Sequence, residues 1–354
     1  MPDGQNSIGG IAASTARMEW SQWDPWGGFR GAAAVGLLLG LGFLTGHAAA
    51  GAVAAGGALY MGLGAFTRQS SKSIPILLTA SFLMGISTFV GTGLGAWGLW
   101  FSIVIGLWAF GGGLLVAADT ALWFVGIKAI ITLLIAGGFP DSLAHATERG
   151  GLVLAGGLFQ TMFLLVEYHV LNLWRTSRIT LDPTPPFKNA LREILQSLRW
   201  RSPAFQHALR MAVTLTLGQE LGRSLFSHNA YWLPVTATIV LRPDFRQTFS
   251  RGLARMGGTL LGAGLTTLIL SLSRPAHIVL VGLALAFAWL SFTFFRVNYA
   301  LYAVFITGYV VFMLSFAGLP EMEVVRFRLL ATLLGGALAL VIYGIWPTKT
   351  AGKV

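Results

Sequence analysis

The chain has 354 residues, of which 55% are hydrophobic and only 10% are charged. Soluble globular domains carry roughly 25% charged residues, so the composition excludes an ordinary soluble domain and favours a helical protein that crosses a membrane many times. The absence of cysteine excludes disulfides and thiolate metal sites.

The first 29 residues carry tryptophans at positions 20, 23 and 26, just before the first apolar run. Tryptophan is enriched where a membrane meets water, so segment 1–29 is predicted to be a cytoplasmic and interfacial anchor. It lacks the basic-then-apolar pattern of a cleaved signal peptide.

Stretches long enough to span a membrane, which needs about 20 mostly apolar residues, follow in two groups. The predicted spans are 30–46, 47–66, 74–94, 97–117, 120–138 and 149–172, then 205–223, 229–242, 248–272, 276–295, 297–316 and 327–346. The span at 229–242 is short and contains Pro234, which predicts a broken or partial span.

The two groups of spans match each other at an offset of 179 residues. The residues that superpose include Arg149 on Arg328, Gly156 on Gly335, and Gly157 on Gly336. Each group has an even number of spans, so both copies face the same way, and sites in repeat-built transporters lie between the copies. We predict an all-α polytopic membrane protein with about 12 transmembrane helices in two parallel six-helix repeats, 30–173 and 205–347.

Most of the 24 basic residues fall in or beside cytoplasmic segments if the N-terminus is inside, as the positive-inside rule requires. The largest group lies in the 174–204 connector, which is predicted to lie on the membrane surface as an amphipathic helix. The far-side basic residues are Arg149, Arg223, Arg274, Arg326 and Arg328. Topology and contact with anionic lipid explain the net charge of +11, so no nucleic-acid partner is needed. Both termini, including the 348–354 tail, are predicted to be cytoplasmic.

Four arginines lie close together between positions 242 and 255. Arg251 and Arg255 are four residues apart and share one helix face, and each can present a forked guanidinium to a carboxylate. Arg255 is followed by Gly257, Gly258 and Gly262, which make a surface for close helix packing, so we expect Arg255 to face the bundle. For Arg242 and Arg246, extension toward the headgroups is the favoured interpretation.

Three further ionisable residues are candidates for anion or proton handling. Lys128 lies mid-span without an acidic neighbour, at an insertion cost of roughly 2.5–3.5 kcal/mol, and should therefore face a cavity or a partner. Glu220 is either a proton acceptor or the ion-pair partner of Arg223, three residues on. His228 starts a span and either senses protons or packs at the helix start.

The second half carries an ordered motif. It reads YW-x3-T, a proline, then T-x2-R-x3-R-x2-GT-x2-G from Tyr231 to Gly262, and R-x6-GG-x9-WP from Arg328 onward. This motif resembles that of the fusaric acid resistance and aromatic acid exporter family, with plant aluminium-activated malate transporters as more distant relatives. The resemblance implies export of small organic acids, aromatic carboxylates among them, across a bacterial inner membrane, driven by the proton gradient.

The resemblance is incomplete in two respects. At the 179-residue offset Arg255 falls on Ile76, so a pathway lined by both copies is predicted to be asymmetric. Family members often carry large cytoplasmic domains that are absent here, which leaves assembly with a periplasmic adaptor open.

The functional hypothesis places a carboxylate on Arg255, helped by Arg251, with Trp232 and Tyr231 along the path of the aromatic ring and Thr236 one turn from Trp232. An interfacial aromatic belt is the alternative for Tyr231 and Trp232. A passive organic-anion channel and a non-transporting membrane assembly component are the alternatives for the whole protein. No catalytic constellation, metal site or cofactor is expected; the expected partners are membrane lipids and a small organic anion, with a homo-oligomer left open.

Overall fold

The computed structural model describes residues 15–65, 74–174, 189–226, 229–273, 275–316 and 321–347. Within these ranges the chain is α-helical apart from turns and short 3-10 segments, and it forms thirteen α-helices. In chain order they are α1 (Pro25–Leu44), α2 (Ala48–Ala65), α3 (Ile74–Leu94), α4 (Leu99–Leu114), α5 (Thr120–Gly137), α6 (Leu143–Trp174), α7 (Ala190–Ser197), α8 (Pro203–Leu225), α9 (Trp232–Val240), α10 (Phe245–Ser273), α11 (His277–Phe294), α12 (Tyr299–Phe316) and α13 (Glu321–Ile345).

A helix lies at the position of every predicted span, and α7 lies in the predicted connector. Seven helical segments of the described chain are long and apolar enough to cross a membrane, among them Phe245–Ser273 and Val325–Ile345. Three shorter apolar stretches are Ala48–Leu63, Ile278–Phe294 and Tyr299–Ser315. The protein is therefore a multi-pass membrane protein, while the count of twelve spans stays a prediction.

The helices of the two halves have corresponding neighbours. In the first half α1 packs on α2, α2 and α3 pack on α6, and α5 packs on both α3 and α4. In the second half α8 packs on α9, α9 and α10 pack on α13, and α12 packs on both α10 and α11. The halves meet where α4 contacts α8 and where α11 contacts α1.

Glycines allow the backbones to touch at matching places. A Cβ at Gly156 of α6 would collide with the carbonyl oxygen of Ala54 in α2, and a Cβ at Gly335 of α13 would collide with that of Leu233 in α9. Both residues of the second pair lie 179 positions after their counterparts. Small residues let membrane helices approach this closely.

The short helix α9 lies in the interior of the molecule. Its nine residues span only about 14 Å at 1.5 Å per residue, which agrees with the prediction of a partial span. Pro234 occupies the first turn, where its missing N–H breaks no intrahelical hydrogen bond. Since α5, α8 and α13 surround it, α9 presents its first residues to the centre of the bundle.

Candidate functional site

Arg255 lies about 15 Å along α10 from its first residue, at 1.5 Å per residue, and only 4% of it is exposed. Its Nε is buried and has no hydrogen-bond partner among the residues that the structure describes. Gly258 and Gly262, on the adjoining face, abut the carbonyl oxygens of Ala300 and Val304 in α12. The expectation that Arg255 faces the bundle rather than the headgroups agrees with this burial.

A second buried arginine belongs to the same group. Arg328 of α13 is 2% exposed, and its guanidinium carbon lies 4.3 Å from the centre of the Trp232 ring. Its charge is within electrostatic range of Arg255, Tyr60 and Tyr231. Arg328 lies inside the bundle, about two turns into α13, while its position on the far side of the membrane stays a prediction.

Aromatic side chains enclose the two arginines. Tyr231 and Trp232 are 3% and 7% exposed, and their ring centroids are 4.9 Å apart, so the interfacial-belt interpretation is wrong for both. Tyr60 of α2 and Tyr302 of α12 are within electrostatic range of both arginines. Because Tyr60 comes from the first half, both halves contribute to the group.

Thr236 is also buried, at 2% exposure. It lies one turn from Trp232, as predicted, and its Cβ is 3.0 Å from the place that a Cβ of Gly335 would occupy. This contact places Thr236 in the packing between α9 and α13, below the aromatic pair.

Further arginines continue the group toward the start of α10. Arg251 lies over the Tyr299 ring at 4.1 Å, and Tyr302 is within range of both Arg251 and Arg255. Arg242 is 5% exposed and lies 4.8 Å from the centre of the Trp123 ring. Its burial corrects the expectation that it extends to the headgroups, whereas Arg246 is exposed as expected.

The row of arginines ends at Arg210 in α8. His207 and Arg210 are both fully buried, and His207 is within electrostatic range of Arg210 and Arg242. Arg210 donates a hydrogen bond of 2.9 Å to the carbonyl oxygen of Trp346. Neither residue was identified from the sequence, because single histidines and arginines near a helix start have no distinguishing pattern.

The other predicted ionisable candidates lie apart from this group. Lys128 is 9% exposed, and its ammonium group has no ion pair or hydrogen bond among the residues that the structure describes. Glu220 accepts a hydrogen bond from Ser102 and pairs with Arg223 at 3.3 Å, which confirms the local ion pair. His228 lies outside the described residues.

Charge balance distinguishes the arginine group from an ordinary buried ion pair. Within the described ranges, every carboxylate that forms an ion pair does so with residues other than Arg242, Arg251, Arg255 and Arg328. Burying an unpaired ion costs several kcal/mol even after relaxation. In the same part of the chain no cluster of histidine, cysteine and acidic residues suited to a metal ion is found. The arrangement can therefore bind an anion.

Residues 211–342 match the family described as fusaric acid resistance protein-like. The similarity covers less than half of the chain. The matched segment contains Arg255, Arg328 and the Tyr231–Trp232 pair, whereas Tyr60 comes from outside it. The resemblance read from the motif is thereby confirmed.

Relatives match only part of the chain. An uncharacterized protein, ORF2, of Neisseria gonorrhoeae is 28% identical over 48% of this chain and 41% of its own length. An uncharacterized Haemophilus influenzae protein is 29% identical over 48% of this chain and 24% of its own. The inner membrane protein YccS of Escherichia coli is 32% identical over 41% of this chain and 20% of YccS. The match thus spans less than half the length of these relatives, and no solved structure matches the chain.

Proposed function

We propose that the protein transports small organic anions across the membrane, and that Arg255 and Arg328 hold the carboxylate on its way. The observation that carries the proposal is the burial of these two guanidiniums within electrostatic range of each other, without an acidic partner among the described residues.

Unused hydrogen-bond donors support an anionic occupant. Around Arg255, the buried nitrogens without a partner in the described chain include Nε of Arg255, Nε and Nη1 of Arg328, and Nε1 of Trp232. Arginine and tryptophan nitrogens donate and cannot accept hydrogen bonds, so only an acceptor satisfies them. A carboxylate would supply acceptor oxygens and negative charge together, and charge-assisted hydrogen bonds of this kind are worth about 1.5–3 kcal/mol each.

The aromatic side chains support an organic body on that carboxylate. The Trp232 ring lies next to the Arg328 guanidinium and the Tyr231 ring. Tyr60 and Tyr302 are both within electrostatic range of Arg255. Aromatic rings favour offset or edge contacts with other rings. Aromatic carboxylates are therefore the substrate class that we propose, with Arg251 and Arg242 leading toward the site.

The symmetry of the transporter belongs to the proposal. The corresponding helix neighbours and the matching Gly156 and Gly335 contacts support two parallel copies related by an axis along the membrane normal. The anion path would lie between the copies, as in other repeat-built transporters. Location in a bacterial inner membrane, with cytoplasmic termini, rests on the basic-residue distribution and on the likeness to YccS.

Proton coupling is proposed as the driving force, with a passive anion channel as the alternative. Glu220 and His228 were the candidates for proton transfer. Glu220 is held by Arg223 and Ser102, which weakens its candidacy. The two mechanisms differ in one measurable respect: flux that follows only the anion gradient after the pH gradient is collapsed indicates the channel.

The test is efflux of a labelled aromatic carboxylate from proteoliposomes with and without an imposed pH gradient. Arg255→Gln should reduce efflux at least tenfold, because about 1.5–3 kcal/mol per lost charged hydrogen bond corresponds to that range or more. Arg246→Gln, on the exposed first turn of the same helix, is the matched control and should leave efflux unchanged. Efflux by Arg255→Gln at the wild-type rate would contradict the proposal.

A further inference from the structure

A groove of about 750 Å³ lies between α10 and α13. Its α10 wall includes Met256, Gly257 and Thr259, and its α13 wall includes Leu329 and Leu333. Leu260 and Leu330, at its rim, are 61% and 42% exposed. Because α10 and the described part of α13 are long and apolar enough to cross a membrane, the groove opens toward lipid.

The same pair of helices carries the two arginines of the proposed anion site. Thr259 and Thr332 line the groove, and each lies four residues after Arg255 or Arg328, which places it one turn further on the same side of its helix. Met256 contacts the place of a Cβ at Gly336 at 3.3 Å. Arg255 and Arg328 are absent from the groove lining, so Thr259 and Thr332 connect the groove along the α10–α13 seam to the two arginines.

The seam contains an unused polar group. Thr259 is fully buried, Thr332 is 3% exposed, and the Thr259 hydroxyl has no hydrogen-bond partner in the described chain. On the membrane side, Arg326 adds a cation to the lining. An otherwise apolar groove thus has positive charge at its rim and, behind its wall, two guanidiniums without acidic partners among the described residues.

We infer that this groove is a lateral binding site for the apolar body of an amphiphilic organic acid, whose carboxylate is directed through the α10–α13 seam to Arg255 and Arg328. The inference rests on the proposed function and narrows its substrate class to acids that partition into the membrane. Charge complementarity favours this occupant, because a neutral lipid chain would leave the arginines unsatisfied. The volume is in the range of pockets that hold small organic ligands, about 300–1,000 Å³.

The chain offers a matched pair of substitutions that test the groove. A Cβ at Gly257 meets no atom within 4 Å, and the same is true of Gly264 on the same helix, which lies outside the groove lining. Gly257→Phe therefore fills the groove without a steric clash at Cβ, and Gly264→Phe adds the same ring elsewhere on α10.

The probe is an alkyl carboxylate with a photoreactive diazirine at its far end, compared with its uncharged methyl ester, on the full-length protein in nanodiscs. We expect the acid to label residues 325–333 at least tenfold more than the ester does. Gly257→Phe and Arg255→Gln should each reduce that labelling at least tenfold, and Gly264→Phe should leave it unchanged.

Equal labelling by acid and ester, insensitive to Arg255→Gln, would mean that lipid chains alone occupy the groove and would overturn the inference. A change of oligomeric state in Gly257→Phe, measured by light scattering, would show that a second copy covers the groove and would also overturn it. Efflux of a carboxylate too short to reach the groove distinguishes the transport proposal from the lateral site, because only the transport proposal predicts an effect on it. If Arg255→Gln abolishes that efflux but Gly257→Phe leaves the labelling intact, the lateral site fails and the transport function stands.

Discussion

At the scale of single residues, two arginines at the same place in the proposed repeat have different environments. Arg149 of α6 pairs with Asp141 at 3.0 Å and donates a hydrogen bond of 2.6 Å to the carbonyl oxygen of Phe139. The backbone N–H of Ser142 and the His145 ring lower the pKa of Asp141 below its ordinary value, so this carboxylate is charged at neutral pH. Arg328, at offset 179, has an aromatic ring instead of a carboxylate.

This difference makes Arg149 a matched control for Arg328. Arg328→Gln should weaken binding of an aromatic carboxylate by about tenfold to a hundredfold, because about 1.5–3 kcal/mol of charge-assisted hydrogen bonding is lost. Arg149→Gln removes a partly exposed ion pair, which solvent screens, and should leave binding unchanged. Isothermal titration in detergent measures both. Equal losses in the two variants would show that general charge, rather than the buried site, determines binding.

Stability and binding should change in opposite directions at Arg255. Arg255 has no acidic partner in the described chain, and replacing such a buried ion with an apolar residue of similar length removes its desolvation penalty. Arg255→Met should therefore raise the melting temperature of the ligand-free protein while it abolishes transport. Thermal unfolding by intrinsic fluorescence, with and without carboxylate, measures this. A lower melting temperature in Arg255→Met would indicate that the arginine stabilises the fold through contacts and would argue against a binding role.

The arginine group shows which site residues the sequence could predict. Arg255 was identifiable because three glycines within its next two turns indicate close helix packing. Arg328 was followed by a similar glycine pair, Gly335 and Gly336, but basic residues near a span end are counted as topology signals. Tyr60 had no local signal at all, because its partners Arg255 and Arg328 lie about 200 or more positions away in sequence.

At the scale of elements, α9 determines where Trp232 meets Arg328. The carbonyl oxygen of Leu233 and the side chain of Thr236 both abut Gly335 of α13, so any side chain at position 335 pushes the two helices apart. The position of the Trp232 ring relative to Arg328, 4.3 Å from its centre, therefore depends on the missing Cβ of a glycine two turns along α13.

We therefore expect Gly335→Ala to destabilise the protein by about 1–3 kcal/mol through overpacking and to weaken carboxylate binding. Gly344→Ala is the control on the same helix, because its Cβ would meet no atom within 4 Å. Removing an unneeded glycine from a helix stabilises by about 0.5–1 kcal/mol. Chemical unfolding and titration of the two variants test this, and equal stability of both would contradict the close approach of α9 and α13.

The length of the apolar stretches predicted where the helices lie, but it did not predict how they pack against one another. Helices lie at all predicted spans because about 20 apolar residues can satisfy their backbone in lipid only as a helix. Short α9 was predicted as partial, but its Pro234 lies in the first turn rather than at a break. Propensity could not determine that its nine residues are enclosed by α5, α8 and α13, because enclosure depends on contacts distant in sequence.

At the scale of the whole molecule, two side-chain hydrogen bonds show which helix ends lie together. Near the start of α10, Ser250 bonds Thr15 at 2.9 Å, and Tyr343, near the end of α13, donates to the carbonyl oxygen of Pro243 at 3.0 Å. The first and last described segments thus meet at one end of the bundle. An even number of spans places both termini on the same side of the membrane. The meeting of the two segments at one end therefore supports the proposed parallel repeat.

The absence of cysteine makes this topology directly measurable. Gln196 in α7 and Ser224 near the far end of α8 are both exposed. Between them runs most of α8, which has 23 residues and is about 35 Å long in full. In intact cells a membrane-impermeant maleimide should label Ser224→Cys and should label Gln196→Cys only after the membrane is opened. The positive-inside rule places the basic connector in the cytoplasm, so the opposite labelling pattern would invert the proposed orientation. Labelling of both positions from outside would mean that α8 does not cross the membrane, and the anion path between two six-helix copies would then be excluded.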